Sequence, residues 1–340
     1  MNEPTILVTG ISGFIAKHCA VELLEHGYRV RGTVRGLDKA DQVRTTLAAR
    51  ADVSRLEFAA ADLLSDAGWA DAMRGVHGVL HVASPFPLVQ PKDEAELVRP
   101  AVDGSLRVLG AAKAAGVERF VQTSSTAAVI YGHRKRRPGA FTEADWTDVD
   151  DPHITAYTKS KTLAERAARD FVARECPRMY YASVNPGLVL GPLLDADAGS
   201  SANLIVDCLR GKYPGCPRLS FPVVDVRDVA LAHRLALESS AASGGRFLAT
   251  SDAVWFKDMM QPIKDRLGER ARKIPTRELP NFMVRLVAIF DPATRSILPE
   301  LGIDVRIDNS ATRATLGMEF RSHTESAPAM AESLLRLGLV

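Results

Sequence analysis

The stretch that most constrains this chain is its first thirty-five residues, which read as one strand–loop–helix–strand unit. Thr5-Ile6-Leu7-Val8-Thr9 is a short apolar and β-branched run, the pattern of a strand buried on both faces. It ends at Gly10. Gly10-Ile11-Ser12-Gly13-Phe14-Ile15-Ala16 then leads into a helix with Ala16, Cys19, Ala20, Leu23 and Leu24 at helical spacing and Gly27 as its stop. Tyr28 to Val34 reads as the next strand. A βαβ unit of this kind puts a glycine-rich loop at a helix N-terminus, where free backbone N–H groups and the helix dipole hold a pyrophosphate. Gly10 allows the tight turn, and Gly13 lets a phosphate approach the backbone with no Cβ in the way. Ala16 stands where a third glycine is usual, small enough for close helix–strand packing. Two glycines alone make any turn; the flanking strands and helix make this a dinucleotide site.

The residue after the second strand bears on which dinucleotide. Sites for NAD usually carry Asp or Glu there, accepting from the ribose 2′-hydroxyl. Here Val34 runs into Arg35, with Lys39 shortly after and no acid before Asp38. A guanidinium matches phosphate oxygens with paired donors, so the placement favours a 2′-phosphate and NADP(H).

Further strand and helix patterns alternate along the chain. Asp41 to Arg50 is expected as a helix, Leu56 to Ala61 as a third strand ending in Asp62-Leu63, Asp71 to Arg74 as a short helix, and Gly78 to Ala83 as a fourth strand. Small residues at the end of that strand (Val82, Ala83, Ser84) leave room for a cofactor lying across the carboxyl edge of a sheet. The proline-rich stretch from Pro85 to Pro91 reads as a rigid surface loop or as a wall of a substrate pocket, and its position at that edge favours the pocket. A helix from Glu94 to Ala115, kinked or restarted at Pro100, precedes a fifth strand, Arg119 to Thr123, which delivers Ser124 and Ser125. Such alternation indicates a parallel sheet.

At 340 residues a main domain plus a smaller lobe is expected, and 46% apolar residues suffice for a large core. A formal charge of +2 asks for neither nucleic acid nor an acidic membrane surface. The basic run His133 to Arg137, beside Pro138-Gly139, reads as a solvated loop. Cys19, Cys176, Cys208 and Cys216 form no C-x-x-C and have no zinc-spaced histidine, which suits a reducing compartment. Residues 5–10 are already taken up by the first strand, so a secretory leader is not expected, and no apolar run approaches membrane-spanning length. The expected location is the cytoplasm.

Chemistry enters at Tyr157-Thr158-Lys159-Ser160-Lys161, where a helix would put Tyr157 and Lys161 on one face. A tyrosine and a lysine four apart mean little alone. Here they follow a dinucleotide loop and a strand ending in two serines. Lys161 is expected to favour tyrosinate and bring the phenol down from its ordinary pKa of about 10.

Thr9-Gly10-Ile11-Ser12-Gly13-Phe14-Ile15, Thr33-Val34-Arg35, Ala61-Asp62-Leu63, His81-Val82-Ala83-Ser84-Pro85, Thr123-Ser124-Ser125, Tyr157 with Lys161, and Asn185 to Pro192 occur in order. Together they resemble the extended short-chain dehydrogenase/reductases, in particular the dihydroflavonol reductase branch with its microbial carbonyl reductases. The resemblance covers residues 5–250 and thins beyond, where Asp308-Asn309-Ser310 and Leu316-Gly317 echo the family's tail. It implies a Rossmann-type, doubly wound α/β sheet with a smaller, discontinuous lobe, NADPH as cofactor, and Ser125, Tyr157 and Lys161 as the catalytic set. Cofactor contacts would come from Gly10, Ser12, Gly13, Phe14 and Ile15 in the loop, and from Arg35 and Lys39 near the 2′-phosphate. Asp62 and Leu63 would meet the adenine, Val82, Ala83 and Ser84 would follow the fourth strand, and Pro186 with Leu188 would meet the nicotinamide end. Tyr157 and Lys161 would also hold the cofactor.

Two departures matter. Val102-Asp103-Gly104-Ser105 stands where relatives carry a proton-relay asparagine, and Ile130 falls where plant enzymes bind flavonols through a polar side chain. A flavonoid substrate is therefore not expected. The expected division is a Rossmann domain of residues 1–187 and 221–250, with a substrate lobe of 188–220 and 251–340. The aromatic stretches of that lobe (Tyr213, Trp255, Phe256, Phe282, Phe290) favour a small hydrophobic ketone or aldehyde as substrate. A nucleotide-sugar epimerase or dehydratase on the same fold, and a redox sensor that binds NADP without turnover, remain as alternatives. Relatives commonly pair subunits through the helices holding Lys113 and Tyr157, and the sequence leaves monomer and homodimer open.

Overall fold

The computed structural model describes residues 3–84, 93–133, 139–197 and 199–340. The expected loop at Pro85–Pro91 and the basic run from Arg134 to Arg137 lie outside them.

Seven parallel strands form the main sheet: β1 (Thr5–Val8), β2 (Arg29–Val34), β3 (Leu56–Ala60), β4 (Gly78–His81), β5 (Arg119–Thr123), β6 (Tyr180–Pro186) and, after a small-sheet insertion, β9 (Arg246–Ala249). Their order is β3-β2-β1-β4-β5-β6-β9, the doubly wound arrangement whose direction reverses between β1 and β4. The central strands are buried throughout, as their uninterrupted apolar runs require. Leu7, Leu80 and Phe120 are fully enclosed, and burying each such side chain contributes about 1.5–3 kcal/mol.

Helices cover both faces. On one, α1 (Phe14–Glu25) packs beside α7 (Val226–Glu238); on the other, α3 (Trp69–Met73), α4 (Ala95–Ala114) and α5 (Ala156–Glu175) share a core with Phe120 and Tyr181. Between β2 and β3 runs α2 (Ala40–Ala48). α4 continues through Pro100 as one element, so the expected restart there does not occur. Pro100 sits early in the helix, where its missing N–H removes only one ladder bond.

A smaller sheet of order β10-β8-β7 is built from β7 (Leu188–Leu190), β8 (Ser220–Asp225) and β10 (Ala253–Trp255). It shares an apolar core with α6 (Gly199–Arg210), α8 (Phe256–Leu267) and, following the short α9 (Asn281–Val287), α10 (Pro292–Ser296) and α11 (Ser310–Leu316), the C-terminal α12 (His323–Arg336). The expected boundary at residue 221 falls within β8. β8 pairs with β7 and β10, and the chain returns to the main sheet with α7 at Val226. The tail also returns, since Leu316 and Met318 join the main core. The lobe's aromatics divide: Phe256 is buried in the lobe core, whereas Phe282 and Phe290 are 70% and 83% exposed.

Candidate active site

Because the main strands are parallel, every residue that follows one lies on the same carboxyl edge. Gly10 follows β1, Arg35 β2, Asp62 β3, Val82–Ser84 β4, Ser124–Ser125 β5, and Pro186 ends β6. The edge thus gathers all the expected contact segments of the nucleotide domain.

Gly10 sits at the β1/β4 reversal with φ +63°, and a Cβ there would come within 2.9 Å of the Ala83 Cβ. Only glycine meets both conditions without strain. Its N–H donates to Thr33 Oγ1 at 2.9 Å, and Thr9 Oγ1 accepts from the Ala83 N–H at 3.0 Å, so two threonines stitch β1 to its neighbours. Gly13 differs: its φ is −74°, and a Cβ would meet only the Gly10 carbonyl at 3.3 Å. It is the N-cap of α1, with no side chain capping the helix, so the first-turn N–H groups of Phe14 and Ile15 are open to an anion. Ser12 is half-buried in the loop between them. Arg35 and Lys39 are exposed beyond the end of β2. Asp62 Oδ1 accepts from the Leu64 N–H at 2.9 Å, and Leu63 packs over Gly104. Position 104 therefore serves helix packing, where a larger side chain would strike Leu63 at about 3.1 Å.

α5 starts one residue before Tyr157 because Thr155 caps it, its Oγ1 accepting from the Thr158 N–H at 3.1 Å. Such caps contribute about 1 kcal/mol. Tyr157, Lys161 and Glu165 follow at intervals of four along one face. Ser125 closes β5 by capping a short turn: its Oγ accepts from the Ala127 N–H at 3.1 Å and lies 3.5 Å from the Pro186 carbonyl. The Ser125 hydroxyl also hydrogen-bonds the Tyr157 phenol, and Lys161 Nζ lies 5.9 Å from the tyrosine ring centroid. Leu188, in β7, is half-buried beyond Pro186.

The electrostatics correct one expectation. Burial is the largest influence on Tyr157 and holds its phenol above the ordinary value, with only the Ser125 hydrogen bond acting the other way. Lys161 does not bring it down. The lysine itself is lowered from 10.5 to about 8 by burial. His81, at the end of β4, is pushed to about 3, first by burial and then by the charge of Lys161. Tyr157 therefore keeps its proton at neutral pH, beside a lysine that keeps its charge.

Beneath this cluster lies a feature not anticipated from the sequence. Glu165 is fully buried and accepts from Ser124, Ser183, Asn185, Arg169 and Arg246. A glutamate at the third position of the Tyr157–Lys161 face was the available signal. Among the described residues no group of acids, histidines and cysteines could hold a metal, and no helix is long and apolar enough to cross a membrane.

Fold and edge together define an α/β protein of the Rossmann type with a dinucleotide loop. More particularly, the chain belongs to the NAD dependent epimerase/dehydratase family, the extended short-chain dehydrogenase/reductases, which it matches over residues 6–248. It is 34% identical to the ketoreductase azaE of Aspergillus niger over 93% of both chains. It is 39% identical to the cinnamoyl-CoA reductase CAD2 of Medicago truncatula, over 70% of this chain and 74% of that one. The structure of Gre2 from Candida albicans in complex with NADPH superposes with a TM-score of 0.80 at 27% identity, covering 98% of this chain and 99% of that one. The protein is an oxidoreductase of this family.

Proposed function

We propose that this protein uses NADPH to reduce a small hydrophobic ketone or aldehyde to an alcohol. The observation that carries the reading is the meeting of Ser125, Tyr157 and Lys161 at the sheet edge that also bears the glycine loop. Its relatives named as reductases support the same class.

The residues present fit the cofactor. An uncapped helix N-terminus and an open Gly13 suit a pyrophosphate, and the cation at Arg35 suits a 2′-phosphate. When bound, NADPH supplies the hydride for the carbonyl carbon. Tyr157, protonated at neutral pH, gives its proton as negative charge builds on the substrate oxygen. Ser125 donates to that same oxygen. Lys161, still charged at neutral pH, would hold the nicotinamide ribose. Pro186 and Leu188 would meet the nicotinamide end, and the small residues Val82 to Ser84 would leave room across the edge.

Oxidation of NADPH and NADH should be followed over a panel of hydrophobic ketones, aldehydes and nucleotide sugars. Turnover of ketones or aldehydes with NADPH is expected. Arg35→Asp should weaken NADPH by about 2–4 kcal/mol and leave NADH unchanged or improved. Equal use of both cofactors by the unmodified protein contradicts the role of Arg35; turnover of nucleotide sugars alone favours the epimerase or dehydratase reading.

A further inference from the structure

We propose that Glu165 is a positioning residue whose carboxylate holds Ser125 in register with Tyr157 and Lys161, an inference that rests on the reductase reading. Each of its oxygens is committed. Oε2 accepts from Ser124 Oγ at 2.5 Å and Asn185 Nδ2 at 2.8 Å; Oε1 accepts from Arg246 Nε at 2.6 Å, Ser183 Oγ at 3.0 Å and Arg169 Nε at 3.2 Å. A carboxylate with no exposure to solvent is tolerated only when satisfied in this way. Burial alone would push its carboxyl up, yet the guanidiniums of Arg246 and Arg169 and the donated hydrogen bonds bring it below the usual range.

The identity of the donors separates this network from generic core polarity. Ser124 immediately precedes Ser125. Asn185 immediately precedes Pro186, and its Nδ2 also donates to the Ser125 carbonyl at 3.2 Å. Glu165 itself lies one turn beyond Lys161 and two beyond Tyr157 on α5. One carboxylate thus joins the end of β5, the end of β6 and the face of α5, the three elements that converge on the site. Arg246 anchors it from β9: it donates to the carbonyls of Glu143 and Asp145 at 2.7 and 2.5 Å, and its guanidinium lies 3.7 Å from the Trp146 ring centroid. An apolar side chain of equal volume could fill the space, but it could not hold Ser124 and Asn185 together.

Glu165→Gln keeps the shape and removes the charge, whereas Ser124→Ala removes a single link and leaves the ion pairs. Each is assayed with the best carbonyl substrate at a temperature where thermal unfolding shows it fully folded. A positional error of about an ångström at the reacting groups costs up to about a hundredfold in rate, so kcat should fall about a hundredfold in Glu165→Gln and about tenfold in Ser124→Ala. The KM for NADPH should stay within about twofold, because the glycine loop and Arg35 are untouched. A merely structural role lowers the melting temperature and leaves kcat of the folded fraction unchanged; kcat within about twofold of the unmodified protein in the folded variants overturns the proposal. If Glu165→Gln does not fold, Ser124→Ala decides. Hydrogen exchange gives a readout that needs no turnover: in Ser124→Ala, peptides covering 123–130 and 183–188 should exchange faster while those of α1 do not. An unmodified protein that turns over no carbonyl defeats the reductase reading, and the exchange pattern then decides the positioning role alone, with unchanged exchange overturning it.

Discussion

Lys161 is enclosed far enough that burial lowers its pKa from 10.5 to about 8, and this has a measurable consequence at the residue scale. The folded chain favours the neutral amine more than the unfolded chain does. Below about pH 8 the fold therefore carries the cost of a buried charge, and that cost fades as pH rises from about 8 towards 10.5, where the unfolded chain also releases its proton. Lys161→Met removes the charge, so the cofactor-free variant should be more stable than its parent by about 3 kcal/mol near pH 7, with the gain shrinking steadily above about pH 8. Denaturant unfolding at a series of pH values tests this, and a gain that does not change with pH contradicts it. Ser125, Tyr157 and Lys161 could be put forward as candidates from the sequence only through the ordered set of motifs and the resemblance they carry, since a tyrosine and a lysine four apart mean little alone. Their environment was not legible. The phenol's upward shift comes from how tightly distant segments close around it, which no local pattern records, and the same holds for Glu165, whose donors lie on four separate elements.

At the scale of elements, the β1–α1 turn separates two uses of glycine. Gly10 answers to the backbone and to Ala83, whereas Gly13 leaves room for a ligand. Gly10→Ala should cost about 2 kcal/mol of stability, from a left-handed conformation with a contact too close for a Cβ, and weaken NADPH as the loop distorts. Gly13→Ala should cost less than about 1 kcal/mol, yet lower NADPH affinity about tenfold or more by placing a methyl where the phosphate approaches. Thermal unfolding beside fluorescence titration separates the two, and equal stability losses would count against the division. β1, α1 and α4 were readable because each periodic apolar pattern is closed by a glycine, Gly10, Gly27 and Gly116 respectively, all three with positive φ. β8 was harder: Phe221-Pro222-Val223-Val224-Asp225 has the pattern of a main-sheet strand, and only its pairing with β7 and β10 assigns it to the small sheet.

Across the whole molecule the two sheets are tied by contacts between residues remote in sequence. Lys17, fully buried on α1, pairs with Asp195 at 2.5 Å, and Thr46 of α2 donates to the other oxygen of the same carboxylate at 3.2 Å. The neighbouring His18 meets the Pro192 carbonyl at 3.0 Å, and burial lowers its pKa to about 4. These bonds draw the segment after β7 over the helix that begins at the glycine loop. Asp195→Asn leaves the Lys17 ammonium buried without its counter-charge and should cost about 3 kcal/mol in denaturant unfolding; a loss below about 1 kcal/mol would show that the pair adds little. The molecule-wide claim is that this closed edge is a reductase centre worked by Tyr157. Its most direct test is steady-state turnover of Tyr157→Phe on the best carbonyl substrate at saturating NADPH, beside cofactor affinity from fluorescence titration. Removing one hydroxyl while keeping the ring should leave NADPH affinity within about twofold and lower turnover about a hundredfold or more, the scale of a lost general acid. Full turnover in that variant would contradict the account.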